Sequence, residues 1–214
     1  MNRITSSILL WATLLVNYLS SSWALGENMI NLREVFPFEY MPVWATFGIA
    51  RGAIYLSLII RWVWTWTKSA QQSQTLKEIT PRFQISCIIN ILRIFATARE
   101  WYAISVLLIA SLMIVLRQIL KIISTSTEIL KPSWIMSIPF WLYAWWVTMA
   151  TTVIGIWQLF YTLGSPLPTT TVWMIGSLLL GICVAWWLFY RYRNLAQLTI
   201  TIVALIGIGL SIFG

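Results

Sequence analysis

The chain contains no histidine and no aspartate anywhere in its 214 residues. Those absences remove the commonest general base, the commonest haem and metal ligand, and any Ser-His-Asp triad. Six glutamates supply all the acidic side chains, against 14 lysines and arginines. Charged residues make up 9% of the composition, where soluble domains average about 25%. Two cysteines, Cys87 and Cys183, lie in separate apolar runs. A CxxC motif and a cysteine zinc site are therefore absent, and both thiols read as buried space-fillers. No glycine-rich phosphate loop of the Walker or Rossmann type occurs.

What is present is apolar and aromatic: 59% of residues are hydrophobic and 15 are tryptophan. The stretch IPFWLYAWWVTMATTVIGIW, residues 138–157, carries no charge, and no charged side chain occurs from Pro132 to Tyr190. Roughly 20 consecutive apolar residues suffice to cross a bilayer core. The sequence is therefore expected to be an all-α polytopic membrane protein with about seven transmembrane helices. They fall near 5–25, 44–66, 83–98, 101–120, 134–161, 170–190 and 196–213. Arg3, the apolar run after it and the serines at 20–22 would also fit a cleaved signal peptide. The run is long enough to span and a second helix follows soon after, so the first helix is expected to be retained. Polar stretches at 26–43, 71–82 and 121–133 read as loops, and all six glutamates fall in loops.

Loop charge orients these spans. With the N-terminus inside, the inner side collects Arg3, Lys68, Lys77, Arg82, Arg117, Lys121, Lys131, Arg191 and Arg193. The outer side collects Arg33 and Arg99. The positive-inside rule then places the N-terminus in the cytoplasm and the C-terminus outside. The net charge of +8 is accounted for by this asymmetry and by lipid headgroups, so no nucleic acid is implied.

Three arginines fall within the spans. Arg61 lies near the inner end of its helix and is expected to snorkel to the interface. Arg51 and Arg93 both lie in the outer half at similar depth. Intramembrane arginine costs from about 3 kcal/mol upward and normally faces the bundle interior with a partner. Glu39, Glu100, outer headgroups or an anionic ligand could supply that partner. The tryptophans of the fifth helix, Trp141, Trp145, Trp146 and Trp157, fit an aromatic-lined contact or ordinary packing with interfacial belts.

Asn17-Tyr18-Leu19, Phe47-Gly48 followed by Gly52-Ala53-Ile54-Tyr55, Asn90 with Ile94-Phe95, Pro139-Phe140, and Trp146-Val147-Thr148-Met149-Ala150 together resemble the tryptophan-rich sensory protein family. This is the translocator protein, or peripheral benzodiazepine receptor, family. The resemblance implies a five-helix translocator-like bundle over 1–162, with 163–214 as the two-helix C-terminal extension of the larger bacterial branch. It also implies an aromatic pocket for tetrapyrroles, sterols or similar flat ligands. Two departures stand out. Arg51 and Arg93 occupy places where the family commonly has tryptophan, and Ile154 stands where the fifth helix often closes on asparagine.

The expected ligand-binding residues are Phe47, Arg51, Tyr55, Asn90, Arg93, Trp145 and Trp146, with no catalytic and no metal-binding residue. The expected ligand is a tetrapyrrole or a lipid, and its identity is not legible. Three functions stay open at this stage. The chain could bind a flat apolar or amphipathic ligand in an arginine-modified cavity. It could be a non-catalytic subunit or assembly factor, as a homodimer or in a larger membrane complex. It could be a transporter, although paired helix-breaks in matching halves are not visible. Catalysis is not expected: without histidine, aspartate or intramembrane carboxylates, neither acid–base chemistry nor a proton relay has its parts.

Overall fold

The computed structural model describes residues 3–21, 44–99, 101–126 and 135–148. Helices α1 (Arg3–Ser21), α2 (Trp44–Trp64), α3 (Lys68–Gln72), α4 (Gln74–Ala98) and α5 (Tyr102–Thr125) are followed by α6 over 135–148. No strand occurs among the described residues. The sixth and seventh expected spans, and the boundary at 162, lie outside them.

The helices carry apolar side chains on the outward as well as the inward faces. On α1 the buried positions Leu10, Thr13 and Asn17 recur at three- and four-residue spacing, while Ile4, Ile8, Trp11 and Leu15 are exposed. The inward polar groups bond within their own helix: Thr13 Oγ1 donates to the Leu9 carbonyl at 2.7 Å and Asn17 Nδ2 to the Thr13 carbonyl at 2.8 Å. The outward face carries large apolar side chains on α2, α4 and α5 as well, Leu56, Leu92 and Leu107 among them. An apolar surface of this extent needs lipid or protein against it. Gln74–Ala98 and Ala103–Thr125 are each long and apolar enough to cross a membrane.

Helix α4 starts earlier than its hydropathy implies. The polar stretch 71–82 is helix rather than loop, because Ser73 caps it: the Leu76 amide donates to Ser73 Oγ at 3.0 Å. Leu76, Ile79, Thr80 and Phe83 then continue the buried face of the apolar run that follows. The helix passes through Pro81, which lies on its exposed side. Glu78, expected in a loop, is an exposed residue within α4. Helix α5 likewise runs past 120 to Thr125.

Helices α4 and α5 form a hairpin fastened at both ends. At the turn, Arg99 N donates to the Phe95 carbonyl at 3.1 Å and Trp101 N to the Ala96 carbonyl at 2.8 Å, with the Thr97 and Ser105 hydroxyls 2.8 Å apart. At the far end the Thr75 and Ser126 hydroxyls bond. Helix α1 packs on α4, and Gln84 Nε2 donates to Ser6 Oγ at 2.9 Å. Trp62 Nε1 of α2 donates to Ser7 Oγ at 2.7 Å. These contacts gather the start of α1, the end of α2, the start of α4 and the end of α5 at one end of the bundle. Arg3, Lys68, Lys77 and Lys121 therefore sit together, at what we call the basic end, while Arg99 lies at the opposite end.

That arrangement keeps the charge asymmetry from which the orientation is expected, and labelling tests the orientation itself. Ser73 is 3% exposed, so the exposed neighbour Gln72 is the better probe site. In a chain without its native cysteines, Gln72→Cys should react with an impermeant maleimide only after permeabilisation, and Asn28→Cys in intact cells. The opposite pattern would reverse the orientation.

Helix α6 is the central element. Met136, Phe140, Trp141, Tyr143, Ala144, Trp145 and Val147 are all buried, while Ile135, Leu142 and Trp146 form a half-buried stripe. Phe140 meets Phe83 of α4 edge-to-face, with centroids 6.0 Å apart. Trp141 thus belongs to the buried core rather than to an interfacial belt, and Trp145 is likewise buried.

Candidate functional site

A polar seam runs through the bundle. On α2 it comprises Arg51, Tyr55 and Arg61; on α4, Cys87, Asn90 and Arg93; on α6, Tyr143. The spacings 51–55, 87–90–93 and 140–143 each keep their residues on one helix face. Away from the basic end, Arg93 lies within electrostatic reach of Arg51, Tyr55 and Tyr143, and Tyr55 within reach of both arginines.

The structure therefore brings together four of the residues expected to bind ligand: Arg51, Tyr55, Asn90 and Arg93. Asn90 is buried, and its Oδ1 accepts from both Nε and Nη2 of Arg93 at 3.4 Å. Both bonds are long for N–H···O contacts, so the asparagine holds the guanidinium loosely. Phe47 belongs to the first turns of α2, and its side chain lies outside the described residues. Glu39 and Glu100, expected as internal partners, lie outside them too. Among the described residues the carboxylate is that of Glu78, exposed near the start of α4.

Trp145 and Trp146 divide. Trp145 is 3% exposed, and at about 100° per residue it points to the side of α6 away from Tyr143. Trp146 falls on the same side as Tyr143 and is half-buried against the core. The residue that α6 places beside Arg93 is Tyr143, which sequence reasoning did not assign to the site. Its hydroxyl is buried without a hydrogen-bond partner among the described residues. A signal was available: Tyr143 follows Pro139-Phe140 by one turn, on the face that meets α4.

Arg61 departs from expectation. It does not snorkel: it is 3% exposed, with its guanidinium carbon 4.9 Å from the Phe83 ring centroid and 4.5 Å from that of Phe140. Ring faces offset part of the cost of a desolvated cation. Its Nε has no hydrogen-bond partner among the described residues.

Chemically, the arrangement is a set of hydrogen-bond donors. It offers guanidinium and phenol donors in a water-poor interior, where charge-assisted hydrogen bonds are strong. No group of three or more His, Cys, Asp or Glu side chains suited to a metal ion occurs among the described residues.

These features define a helical membrane protein with a polar interior. The chain belongs to the TSPO-like protein family, whose model matches residues 3–212. The match runs through the stretch in which the last two helices are expected. Among curated proteins and among solved structures, none matches the chain.

Proposed function

We propose that the chain is a membrane ligand-binding protein that holds an amphipathic molecule by its acidic group, with Arg51 and Arg93 as the anion-binding pair. Tyr55 and Tyr143 supply hydroxyls beside them, and Asn90 orients Arg93. The ligand's flat or chain-like apolar body, a tetrapyrrole or a lipid, lies along the aromatic side chains toward Phe47 and Trp146. The observation that carries this reading is the buried Tyr143 hydroxyl, which has no hydrogen-bond partner among the described residues and lies within electrostatic reach of a loosely held arginine. A buried polar atom left unpaired costs about 1–3 kcal/mol, and a bound carboxylate or phosphate would repay it.

The reading makes the chain a carrier or sensor, in which Arg51 and Arg93 hold the acid. Extraction in mild detergent, followed by an absorption spectrum and lipid mass spectrometry, tests it. A retained stoichiometric acid is expected, with Tyr143→Phe lowering its occupancy. Extraction without any acidic ligand, together with co-purification of a stoichiometric larger complex, would instead favour a non-catalytic subunit.

A further inference from the structure

At the basic end, roughly 15 Å along α2 from Arg51 by helix rise, a second polar cavity opens beside Arg61. Its volume is about 20 Å³, and it is lined by Arg3, Ser6, Arg61, Trp62, Thr65 and Thr80, with Phe83 behind. That is room for one or two oxygen-sized groups.

The hydrogen-bonding capacity of the walls is unevenly used. Thr65 and Thr80 donate back to the carbonyls of Trp62 and Leu76 at 2.6 and 2.7 Å. Ser6 accepts from Gln84. Arg61, by contrast, is desolvated between two phenylalanines with Nε unpaired. Arg3 lies across the cavity, its guanidinium carbon 5.9 Å from the Trp66 ring centroid. Among the described residues the walls therefore hold two cations and no carboxylate. Exposed Lys68 and Lys77 at the same end add long-range attraction for anions. Ile4, Ile8 and Trp66 are exposed around this end of the bundle, giving an apolar surface on which acyl chains could lie.

We propose that this cavity is a phosphate site, in which oxygens of a phosphate group enter between Arg3 and Arg61. An anionic phospholipid headgroup is the source that fits the apolar surround, and free phosphate shares the same chemistry. The site is independent of the Arg51–Arg93 pair and stands or falls separately.

The test is a thermal-unfolding titration of the full chain in detergent, with three probes: short-chain phosphatidylglycerol, short-chain phosphatidylcholine and inorganic phosphate. Binding to the folded state raises the midpoint by mass action. Phosphatidylglycerol should give a saturable rise of several degrees, at least tenfold tighter than phosphatidylcholine. Arg61→Gln should abolish the rise, Arg3→Gln should weaken binding about tenfold, and Arg99→Gln, exposed at the opposite end and part of neither site, should leave it unchanged. An equal, saturable rise with inorganic phosphate, lost in the same variants, would support the site with the free anion as its occupant. No saturable rise with either phosphate source would overturn the proposal and leave water as the occupant. If Arg61→Gln does not fold, Arg3→Gln decides: unweakened binding in that variant overturns the proposal.

Discussion

Arg51→Gln and Arg93→Gln should each weaken binding of an acidic ligand by about 10- to 100-fold, and the double variant by less than the product of the two losses. A hydrogen bond to a charged group contributes about 1.5–3 kcal/mol, and each 1.4 kcal/mol is about tenfold in affinity. Both arginines lie within electrostatic reach of one another and of Tyr55, and Arg93 also of Tyr143. Groups that share one partner are non-additive by about 0.5–3 kcal/mol. Two cations in a low-dielectric interior also repel, so the first substitution relieves part of the cost that the second would otherwise relieve. Calorimetric titration of the four forms with one free-acid ligand measures the coupling. Strictly additive losses would place the two arginines in separate sites.

Trp145→Ala should produce the largest loss of stability in the aromatic helix, about 3–5 kcal/mol on the scale of core tryptophan truncations. Trp145 is buried on the side of α6 away from Tyr143, so its truncation should act on stability more than on ligand binding. Trp146→Ala should cost less stability and more ligand affinity, because that half-buried ring lies on the side of Tyr143. Unfolding midpoints and ligand affinities for the two variants give the comparison. Equal stability losses, with no difference in binding, would remove the distinction between packing and lining tryptophans.

The spans were legible where hydrophobicity decides. The second helix was expected over 44–66 and is Trp44–Trp64, and the Arg99 turn was placed where α4 ends. The start of α4 was not legible from hydropathy, because 71–82 reads as polar. It is made helical by a serine cap and by four apolar or hydroxyl residues that continue a buried face. Ser73, followed three residues on by Leu76 rather than Glu or Gln, is only half of a capping-box signature. Arg51 and Arg93 could be paired from depth alone, since their seven-residue and five-residue offsets from the outer helix ends are read directly from helix rise. Tyr143 and Arg61 were missed for one reason: their roles depend on which face of α6 meets α4. In an all-apolar helix the hydrophobic pattern carries no face. The two phenylalanines that keep Arg61 inside come from α4 and α6, a meeting that spacing along one helix does not encode. Snorkelling was the reasonable expectation for an arginine one turn from a helix end, and tertiary packing overrode it.

The central claim is that the interior arginine pair reads an acidic group. It is tested most directly by titrating the purified chain, through its tryptophan fluorescence, with free acids and their methyl esters: a dicarboxylic porphyrin and a long-chain fatty acid, each beside its ester. Esterification removes the charge and keeps the apolar body, so shape and hydrophobicity are held nearly constant. For at least one pair the account predicts that the acid binds tenfold or more tighter than its ester, and that Arg93→Gln erases the difference. Equal affinities of acid and ester in both pairs, or a preference that survives Arg93→Gln, would contradict it.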